Sequence, residues 1–479
     1  MDELAVDHYL RDSSRSGPEP DGAFSGSAGG APCGDLIRIS LSVRDGVVER
    51  VAFAAEGCAP SRAAAAAVAE MADGATLLDA AAIGPDDVEA ELGGLAATHR
   101  HSAELAADAL HRALTGLAGS GETLAADGPG RVLVALSGGV DSAVAALIER
   151  ERGGEVIAVT LKLWADEATD GERSCCSPEA VLRARRLAHS LDIPHLTLDL
   201  RPEFRAGVVQ PFIDGYGAGR TPNPCVLCNG EVRIDAMIAL ASRLGAEALV
   251  TGHYARLHDD GDGPLLARAA DEAKDQTYML AGLAPDSLRR LSFPLGSLTK
   301  PEVRALAAER GLGVAGRAES QDLCFLAGQG KRAFLSRHGG LGEQSGEIVD
   351  EEGTVLGRHS GHHEFTVGQR RGLGVPGPEP RFVLGTDAAA NRVTVGPRSA
   401  LETTSVRIRG ARLHRGADRV DAVRLRYHAP KRACSLEVSA EGPEGEAMLA
   451  LAEPADGAAP GQLACLLDGD VVVGHGTIA

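Results

Sequence analysis

The spacing of apolar and polar residues predicts a small α+β unit near the start of the chain. Residues 36–55 alternate around Asp45-Gly46, a pattern typical of two antiparallel strands joined by a two-residue turn. Residues 61–71 and 101–114 have the spacing of amphipathic helices. Small and glycine-rich residues before this unit, and a Gly/Ser/Pro segment after it, predict a flexible tail and a linker.

A second pattern begins at residue 131. Residues 131–136 form a short apolar run, as expected of a parallel strand covered on both faces, and residues 140–150 have helical spacing. Another predicted helix starts with Ser177 as N-cap and Pro178 as first helical residue. Further strand candidates are residues 155–163, 195–200 and 248–251. Repeated strand–helix units indicate an α/β domain with a doubly wound parallel sheet.

Short β-rich runs separated by glycines replace the helical pattern after about Leu341 and predict two small β-rich domains. The chain is therefore expected to be multidomain. The predicted division is a flexible tail at 1–30, an α+β module at 31–118, a linker at 119–130, an α/β domain at 131–340, a β-rich domain at 341–398 and a C-terminal β-barrel domain at 399–479.

Composition excludes several classes of protein. The 479 residues are 44% hydrophobic and 24% charged, which excludes a disordered chain, and no apolar run reaches the roughly 18 residues of a membrane-spanning helix. The first 30 residues lack the basic and apolar blocks of a signal peptide, so we expect a cytoplasmic protein with no membrane partner. Nine cysteines in such a chain favour metal ligands or reactive thiols over disulfides.

The net charge of −19 at first argues against a nucleic-acid partner. However, residues 1–130 hold 8 basic and 21 acidic residues and so carry −13 of that charge. Residues 331–430 hold 16 basic against 11 acidic residues. This stretch is a candidate RNA-binding surface, with an ordinary solvated face as the alternative.

The segment SGGVDS at 137–142 lies between a predicted strand and a predicted helix. Its two glycines let the backbone approach a phosphate, the helix N-terminus offers N–H groups, and Ser137 and Ser142 add hydroxyl donors. The sequence has no Walker pattern for gripping a γ-phosphate. SGGxDS resembles the motif of the ATP pyrophosphatases, which cut ATP between the α and β phosphates and adenylate an oxygen. A plain glycine-rich turn is the alternative.

Three cysteines fall in two further segments. Cys225 and Cys228 are three residues apart in NPCVLCN at 223–229, and Cys324 lies in DLCF at 322–325. In a reducing compartment, such thiols chelate a metal, form a redox disulfide or supply a thiolate nucleophile of lowered pKa. The residues alone leave these options open, together with incidental burial of the cysteines.

Over roughly 131–479, the chain resembles the bacterial tRNA-specific 2-thiouridylases. The segments that carry the resemblance, in the order found in that family, are ALSGGVDS, TLKLW, GRTPNPCVLCN, VTGHYAR, KDQTYML, SQDLCFL, SGHHEFTVGQRRGLGV, RLRYH and PGQ. The resemblance implies an ATP pyrophosphatase-type fold for the α/β domain. It also implies ATP-dependent 2-thiolation of the wobble uridine of tRNA.

The family's functional residues carry over onto matching positions. The resemblance implies that Cys228 is the nucleophile and that Cys324 carries a persulfide. A nearby cation would keep the attacking thiol ionised, and Lys274, near the phosphates, is the predicted cation. The implied site for ATP with Mg²⁺ comprises Ala135, Leu136, Ser137, Gly138, Gly139, Val140, Asp141, Ser142, Leu161 and Gly252. The implied contacts to tRNA and its target base are Asn223, Pro224, Cys225, His253, Lys274, Asp275, Gln276, Arg426, Tyr427 and Gln462.

The implied chemistry joins the nucleotide and the thiols. The 2-oxygen of uridine is a poor leaving group, so ATP first converts it into an adenylate, and AMP departs when sulfur attacks carbon 2. A persulfide supplies the sulfur, and the partner cysteine releases it by closing a disulfide that a reductant reopens. Many family members have Asp at the position of Cys225. Three thiolates at 225, 228 and 324 would also suit a [4Fe-4S] cluster with one open iron, and the sequence leaves both mechanisms open.

The front module resembles the iron-sulfur scaffold proteins of the IscU and NifU type over about 31–116. The segments that carry this resemblance are CGD at 33–35, GCA at 57–59, LGG at 92–94 and RHS at 100–102. Zinc or a [2Fe-2S] cluster would be held by Cys33, Asp35, Cys58 and His101. Ser102 stands where the family has a third cysteine, and a hydroxyl is a far weaker iron ligand than a thiolate. A degenerate scaffold that only docks a cysteine desulfurase is the alternative.

The expected partners are tRNA, a cysteine desulfurase or other sulfur donor, and a reductant. Two other functions are open: a different SGGxDS adenylating enzyme, and an iron-sulfur scaffold or carrier with a vestigial ATP site. The first does not need Cys228 and Cys324 together, and the second does not need an intact Ser137 and Asp141. The residues therefore favour thiolation, with a tethered front module that raises the effective concentration of the sulfur or cluster source.

Overall fold

Four β-sheets organise the protein, whose computed structural model describes eight stretches of the chain. The described residues are 3–11, 15–30, 34–166, 177–316, 323–326, 328–377, 379–438 and 445–479. Within these stretches, no helix is long and apolar enough to cross a membrane.

A three-stranded antiparallel sheet covered by helices forms the front module. Its elements are α1 (Glu3–Arg11), β1 (Phe24–Gly29), β2 (Leu36–Arg44), β3 (Val47–Glu56), α2 (Ala59–Ala72), α3 (Leu77–Ala82), α4 (Pro85–Glu91) and α5 (Arg100–Gly119). Strands β2 and β3 form the predicted hairpin. Asp45 and Gly46 both have positive φ, 51° and 76°, as a type I′ turn requires.

The prediction of a flexible tail at 1–30 was wrong. Helix α1 buries Val6 and Tyr9 in the core of the module, and β1 pairs with β2 and packs on α5. Small residues allow this close packing, because a Cβ at Gly26 would lie 2.3 Å from the backbone oxygen of Ala109. The Gly/Ser/Ala composition of β1 was the reason for predicting a flexible segment. In the structure, these small side chains let β1 pack closely against α5.

A five-stranded parallel sheet forms the core of the α/β domain. Its elements are β4 (Val132–Ala135), α6 (Val140–Glu151), β5 (Val156–Lys162), α7 (Pro178–Ser190), β6 (His195–Asp199), α8 (Arg201–Phe204), α9 (Gln210–Gly217), α10 (Pro224–Leu227), α11 (Ile234–Arg243), β7 (Ala248–Val250), β8 (Arg256–Asp259), β9 (Pro264–Ala267), α12 (Thr277–Leu280), α13 (Pro285–Leu288), β10 (Leu291–Ser292), α14 (Lys300–Glu309) and α15 (Lys331–Gly339). The strand order β10-β7-β4-β5-β6 confirms the predicted doubly wound sheet. Chain order reverses between β4 and β7, and such switch points bind ligands at the carboxyl ends of the strands.

Two β-rich units follow. Their elements are β11 (Gly346–Val349), β12 (Val355–His359), β13 (Phe382–Asp387) and β14 (Arg392–Gly396), then β15 (Glu402–Leu413), β16 (Ala422–Arg424), β17 (Arg432–Val438), β18 (Ala447–Asp456), β19 (Leu463–Asp468) and β20 (Val471–Ile478). The second unit closes into a barrel because β15 pairs with both β18 and β20. The hairpin β8–β9 of the α/β domain extends the barrel sheet beside β20, a connection that the sequence did not predict.

The front module is docked on the α/β domain. Helix α5 packs against the edge strand β6, and Asp108 of α5 accepts a hydrogen bond from Arg185 of α7 at 2.9 Å. The predicted linker at 119–130 has no helix or strand beyond the α5 end at Gly119, but it is not free. Leu124 is fully buried, and its N–H donates to the Arg243 carbonyl at 2.8 Å. The two domains therefore share a continuous apolar core.

Histidines at this interface predict acid sensitivity. Burial, reinforced by the charge of Arg185, holds the pKa values of His111 and His195 well below their usual range. The native state therefore keeps them neutral, whereas the unfolded chain protonates them below about pH 6.5. We expect the free energy of unfolding to fall by about 1.4 kcal/mol per pH unit for each such histidine below that pH.

Urea denaturation at pH 7.5 and pH 5.5 measures this effect. His111 bonds the Ile83 carbonyl at 3.0 Å, a contact that a glutamine amide can also make, so His111→Gln should reduce the loss of stability at pH 5.5. Equal stability of the unaltered protein at both pH values would contradict the assignment.

Candidate functional site

The turn between β4 and α6 has the geometry of a phosphate-binding loop. β4 ends at Ala135, Gly139 is the N-cap of α6, and Gly138 has a φ of +72°, which favours glycine. The Ser142 hydroxyl accepts a hydrogen bond from the Ser137 N–H at 3.1 Å and donates to the Gly139 carbonyl at 3.0 Å. The N-terminus of α6 therefore lies at the switch point, where its dipole favours a phosphate.

Asp141, in the first turn of α6, is held by groups from two distant segments. Lys300 Nζ lies 2.7 and 2.8 Å from the two carboxylate oxygens, and the Tyr254 hydroxyl donates to Oδ1 at 2.9 Å. Lys300 is only 7% exposed and is the first residue of α14, which a capping box of Thr299 and Glu302 fixes in place. A buried cation thus sets the position of the carboxylate in the loop.

The other predicted nucleotide residues lie at the same edge of the sheet. Leu161 is near the end of β5, and Gly252 follows β7, where a Cβ would lie 2.8 Å from the backbone of Asp141. Lys274 was the predicted cation, whereas the cation that contacts Asp141 in the structure is Lys300. Lys300 is 159 positions from Asp141 in the chain. The capping box beside Lys300 predicts where a helix begins, but it does not predict that the lysine contacts Asp141.

Cys225 and Cys228 lie one turn apart at the start of a long helical stretch over residues 224–243, the thiol helix. Asn223 caps α10, with its side chain accepting a backbone N–H at 3.3 Å, and Pro224 is the first helical residue. Cys228 begins a π-helical segment that runs to Arg233, a type of irregularity frequent at functional sites. Burial raises the pKa of the Cys225 thiol, and the charge of Arg233 opposes that rise.

Cys324 lies in a turn that packs beside this stretch. The neighbouring Phe325 is 1% exposed, and its ring centroid lies 5.9 Å from that of Phe204 in α8 and 5.1 Å from that of Phe212 in α9. The π-helical segment between α8 and α9 packs against the one that begins at Cys228. Cys228 belongs to one apolar cluster, and Cys324 packs against the same cluster.

Residues 251–254 connect the phosphate loop to the thiol helix through hydrogen bonds at both ends. His253 accepts a bond from Arg233 Nη2 at 2.7 Å, and Arg233 Nε donates to Asn229 Oδ1 at 2.5 Å. Burial and the charge of Arg233 lower the pKa of His253 to about 3, so the ring is neutral and its Nδ1–H donates to Thr251 Oγ1 at 2.8 Å. Tyr254, which follows His253, reaches Asp141, so residues 251–254 contact both halves of the site. His253 was predicted to contact tRNA, and its contact with Arg233 was not predicted.

The loop before the thiol helix contacts both β-rich units. The Thr221 N–H donates to the Pro460 carbonyl at 2.8 Å, and Gln462 Nε2 donates to the Thr221 carbonyl at 2.8 Å. Thr386 Oγ1 donates to the Gly219 carbonyl at 2.7 Å. The predicted base-contacting residues thus begin where three parts of the protein meet.

Several predicted tRNA contacts have partners within the protein. Asp275 is 4% exposed and accepts from Arg424 of the barrel at 2.9 Å, and Gln276 Oε1 accepts from the Tyr254 N–H at 2.9 Å. These contacts favour a positioning role for both side chains. Arg426 and Tyr427 lie between β16 and β17, and Tyr427 packs against the cluster that contains the cysteines.

The front module contains a separate group of candidate metal ligands. Ligand atoms of Asp35, Cys58 and His101 all lie within 4.8 Å of one another. Burial alone would raise the pKa of Asp35, but hydrogen bonds from Ser61 and Cys58 lower it to about 2, so the carboxylate is ionised. Ser102 is fully buried, with its hydroxyl 3.9 Å from Cys58 Sγ. A carboxylate, a thiol and an imidazole at this spacing fit a zinc ion.

The three cysteines predicted to hold a [4Fe-4S] cluster are farther apart than the ligands of the front group. Among the described residues, the Asp35 group alone brings three such ligand atoms within 4.8 Å of one another, so Cys225, Cys228 and Cys324 do not meet that spacing together. A [4Fe-4S] cluster on these three thiols stays a prediction. Cys33, the fourth predicted ligand of the front group, lies outside the described residues.

We expect purified protein to bind about one Zn²⁺ per chain at the front group, measured by competition with a chromophoric chelator. Cys58→Ala should weaken binding on the order of 100-fold, since the soft ligand is lost, whereas Ser102→Cys should strengthen it by adding a thiolate. Cys434→Ala, in the distant barrel, is the matched control. Unchanged affinity in Cys58→Ala would contradict the ligand assignment.

Four family descriptions match the chain in succession. They are the NifU-like N terminal domain over 2–120, the tRNA methyl transferase HUP domain over 130–328, the tRNA methyl transferase PRC-barrel domain over 332–397 and the aminomethyltransferase beta-barrel domain over 410–478. They confirm the multidomain fold, with a NifU-like module, an ATP pyrophosphatase-type domain and two small β-rich domains.

Individual relatives match one or both parts of the chain. The tRNA-specific 2-thiouridylases MnmA of Geobacter metallireducens and Thermobifida fusca are 42% and 45% identical over 359 and 358 residues, covering 73% of this chain and 96% and 95% of the relatives. A bifunctional protein NifU/MnmA of Rubrobacter xylanophilus is 46% identical over 467 residues, covering 95% of this chain and 93% of the relative. The chain therefore belongs to the family of bifunctional NifU/MnmA proteins.

Proposed function

We propose that this protein replaces the 2-oxygen of the wobble uridine of tRNA with sulfur, using ATP to activate the oxygen. Because the chain belongs to the family of bifunctional NifU/MnmA proteins, it is a tRNA sulfurtransferase. The observation that carries the finer proposal is the position of residues 251–254. Tyr254 bonds Asp141 of the phosphate loop, and His253 bonds Arg233 of the thiol helix, so one short segment contacts both halves of the proposed site.

The first half of the proposed reaction takes place at the phosphate loop. The uridine 2-oxygen attacks the α-phosphorus of ATP, and pyrophosphate leaves. The N-terminus of α6 and the Ser137 hydroxyl bind the phosphates, and the Ser142 hydroxyl, bonded to Ser137 N–H and the Gly139 carbonyl, holds the loop in shape. Asp141, fixed by Lys300, would hold the Mg²⁺ of the nucleotide. The resulting adenylate gives carbon 2 a good leaving group.

The second half uses the two thiols. The terminal sulfur of a persulfide on Cys324 attacks carbon 2, and AMP leaves with the former 2-oxygen. The Cys228 thiolate then attacks Cys324 Sγ, which releases the sulfur on the base and closes a Cys228–Cys324 disulfide. A dithiol reductant returns both cysteines to thiols, so electrons balance.

The front module is proposed to present sulfur or an iron-sulfur cluster from a fixed position. Its core is continuous with that of the α/β domain, so docking replaces the flexible tether that the sequence suggested. Removing the module would expose this shared core, so point changes are better tests than deletion. Asp35→Ala with Cys58→Ala should slow thiolation when the donor is limiting and leave it unchanged with an excess of a small-molecule persulfide, which transfers its outer sulfur directly to the Cys324 thiol.

Nucleoside analysis of treated tRNA, combined with an AMP assay, tests the proposed function. We expect 2-thiouridine and AMP in equal amounts, both dependent on unmodified tRNA. AMP release without tRNA, or thiolation without AMP, would contradict the proposal.

A further inference from the structure

A cavity of about 270 Å³ lies where α5 of the front module meets the parallel sheet. Its walls come from α5, α7, the strands β5 and β6 and the start of α8, together with Trp164 and Ala165. The proposed thiolation chemistry does not use these residues. We propose that this cavity is a binding site for a small dianion, of which inorganic phosphate is the simplest example.

Basic side chains in the wall outnumber acidic ones. Arg112 Nε and Arg185 Nη2 share the carboxylate of Asp108, at 2.8 and 2.9 Å, so the three side chains together carry one positive charge. Within the part of the chain that the structure describes, the Lys162 ammonium group makes no hydrogen bond or ion pair, and the carboxylates of Asp199 and Asp108 attract it only from farther away. The net charge of the Lys162, Asp108, Arg112 and Arg185 side chains is therefore +2, which a dianion would neutralise.

A further basic residue of the wall does not change this balance. Arg201 is held by Asp199, with its Nε 2.9 and 3.1 Å from the two carboxylate oxygens, so that pair is neutral. The uncompensated charge thus lies toward Lys162, Arg112 and Arg185, which come from both sides of the module interface.

Two N–H groups of the wall are buried and have no hydrogen-bond acceptor among the described residues. They are Arg185 Nε and Trp164 Nε1, whose residues are only 6% and 8% exposed. An unsatisfied buried N–H is costly, so a native fold normally supplies an acceptor. The oxygens of a bound anion would accept from both donors. Burial also lowers the pKa of Lys162, and an anion would stabilise its charged form.

The ligand would join two domains. Arg112 belongs to the front module, whereas Lys162 and Arg185 belong to the α/β domain. A dianion between them replaces repulsion among like charges with attraction. Occupancy is therefore expected to strengthen the docking of the front module.

Trp164 is the one tryptophan of the chain, so its fluorescence reports directly on this cavity. Titration of the full-length protein with inorganic phosphate should give a saturable change in emission. Lys162→Gln should weaken the apparent affinity at least about tenfold, because one charge-assisted hydrogen bond is lost. Lys431→Gln, at an exposed lysine of the barrel, is the matched control and should have no effect.

Two further measurements test whether phosphate binds in this cavity and not at the phosphate loop, and whether tRNA phosphates also bind in the cavity. Ser137→Ala alters the phosphate loop and should leave the Trp164 response intact, and unmodified tRNA should not displace inorganic phosphate. The proposal is overturned if Lys162→Gln binds phosphate as tightly as the unaltered protein, if Ser137→Ala abolishes the response, or if tRNA competes for it.

Discussion

Cys228→Ala is expected to lower tRNA thiolation at least about 1000-fold while leaving the fold intact. Cys228 begins the π-helical segment, is 8% exposed and contacts the same apolar cluster as Cys324. Removing its sulfur leaves no thiolate to release sulfur from the partner cysteine. Loss of one small buried group should cost only about 1 kcal/mol of stability.

The same variant separates the two halves of the reaction. Since the phosphate loop does not depend on this thiol, Cys228→Ala should retain tRNA-dependent ATP–pyrophosphate exchange. Cys434→Ala, which removes a half-buried thiol in the barrel, is the matched control and should retain both activities. Undiminished thiolation by Cys228→Ala would refute its assignment as nucleophile.

Lys300→Met is expected to lower ATP–pyrophosphate exchange by about 100-fold to 1000-fold. Lys300 Nζ contacts both carboxylate oxygens of Asp141, and its side chain is 9% exposed. Without the ammonium group, Asp141 loses its fixed orientation and the phosphates lose a nearby cation. Thiolation should fall in parallel, because no adenylate forms.

Lys274→Met is the comparison that distinguishes two assignments. Lys274 was the predicted cation near the phosphates, whereas the contacts of Asp141 favour Lys300. Lys300→Arg should restore part of the exchange rate, since it keeps the charge, while a merely structural lysine would show loss of stability without a selective effect on exchange. A larger loss of exchange in Lys274→Met than in Lys300→Met would reverse the assignment.

Elements with strong local signals were predictable from the sequence. The Asp45-Gly46 hairpin, the SGGVDS turn and the Ser177 cap each depend on residues that are adjacent in the chain, and the structure confirms all three. The strands around β4 were likewise readable, because buried parallel strands are continuously apolar.

Features that depend on long-range contacts were not predictable. Lys300 approaches Asp141 only after α14 packs on α6, and Arg233 approaches His253 only when the thiol helix lies beside β7. The flexible-tail error at 1–30 has the same origin, because the small residues of β1 become informative only when α5 lies against them. Periodicity reveals which face of an element is buried, not which element covers it.

The central claim is that ATP activates the oxygen that sulfur replaces, and isotope transfer tests it most directly. A tRNA anticodon stem-loop with ¹⁸O at the 2-position of the wobble uridine would be thiolated in a single turnover, and the AMP analysed by mass spectrometry. We predict one ¹⁸O in AMP for each 2-thiouridine formed. Unlabelled AMP accompanying full thiolation, with the ¹⁸O released to water, would contradict the account.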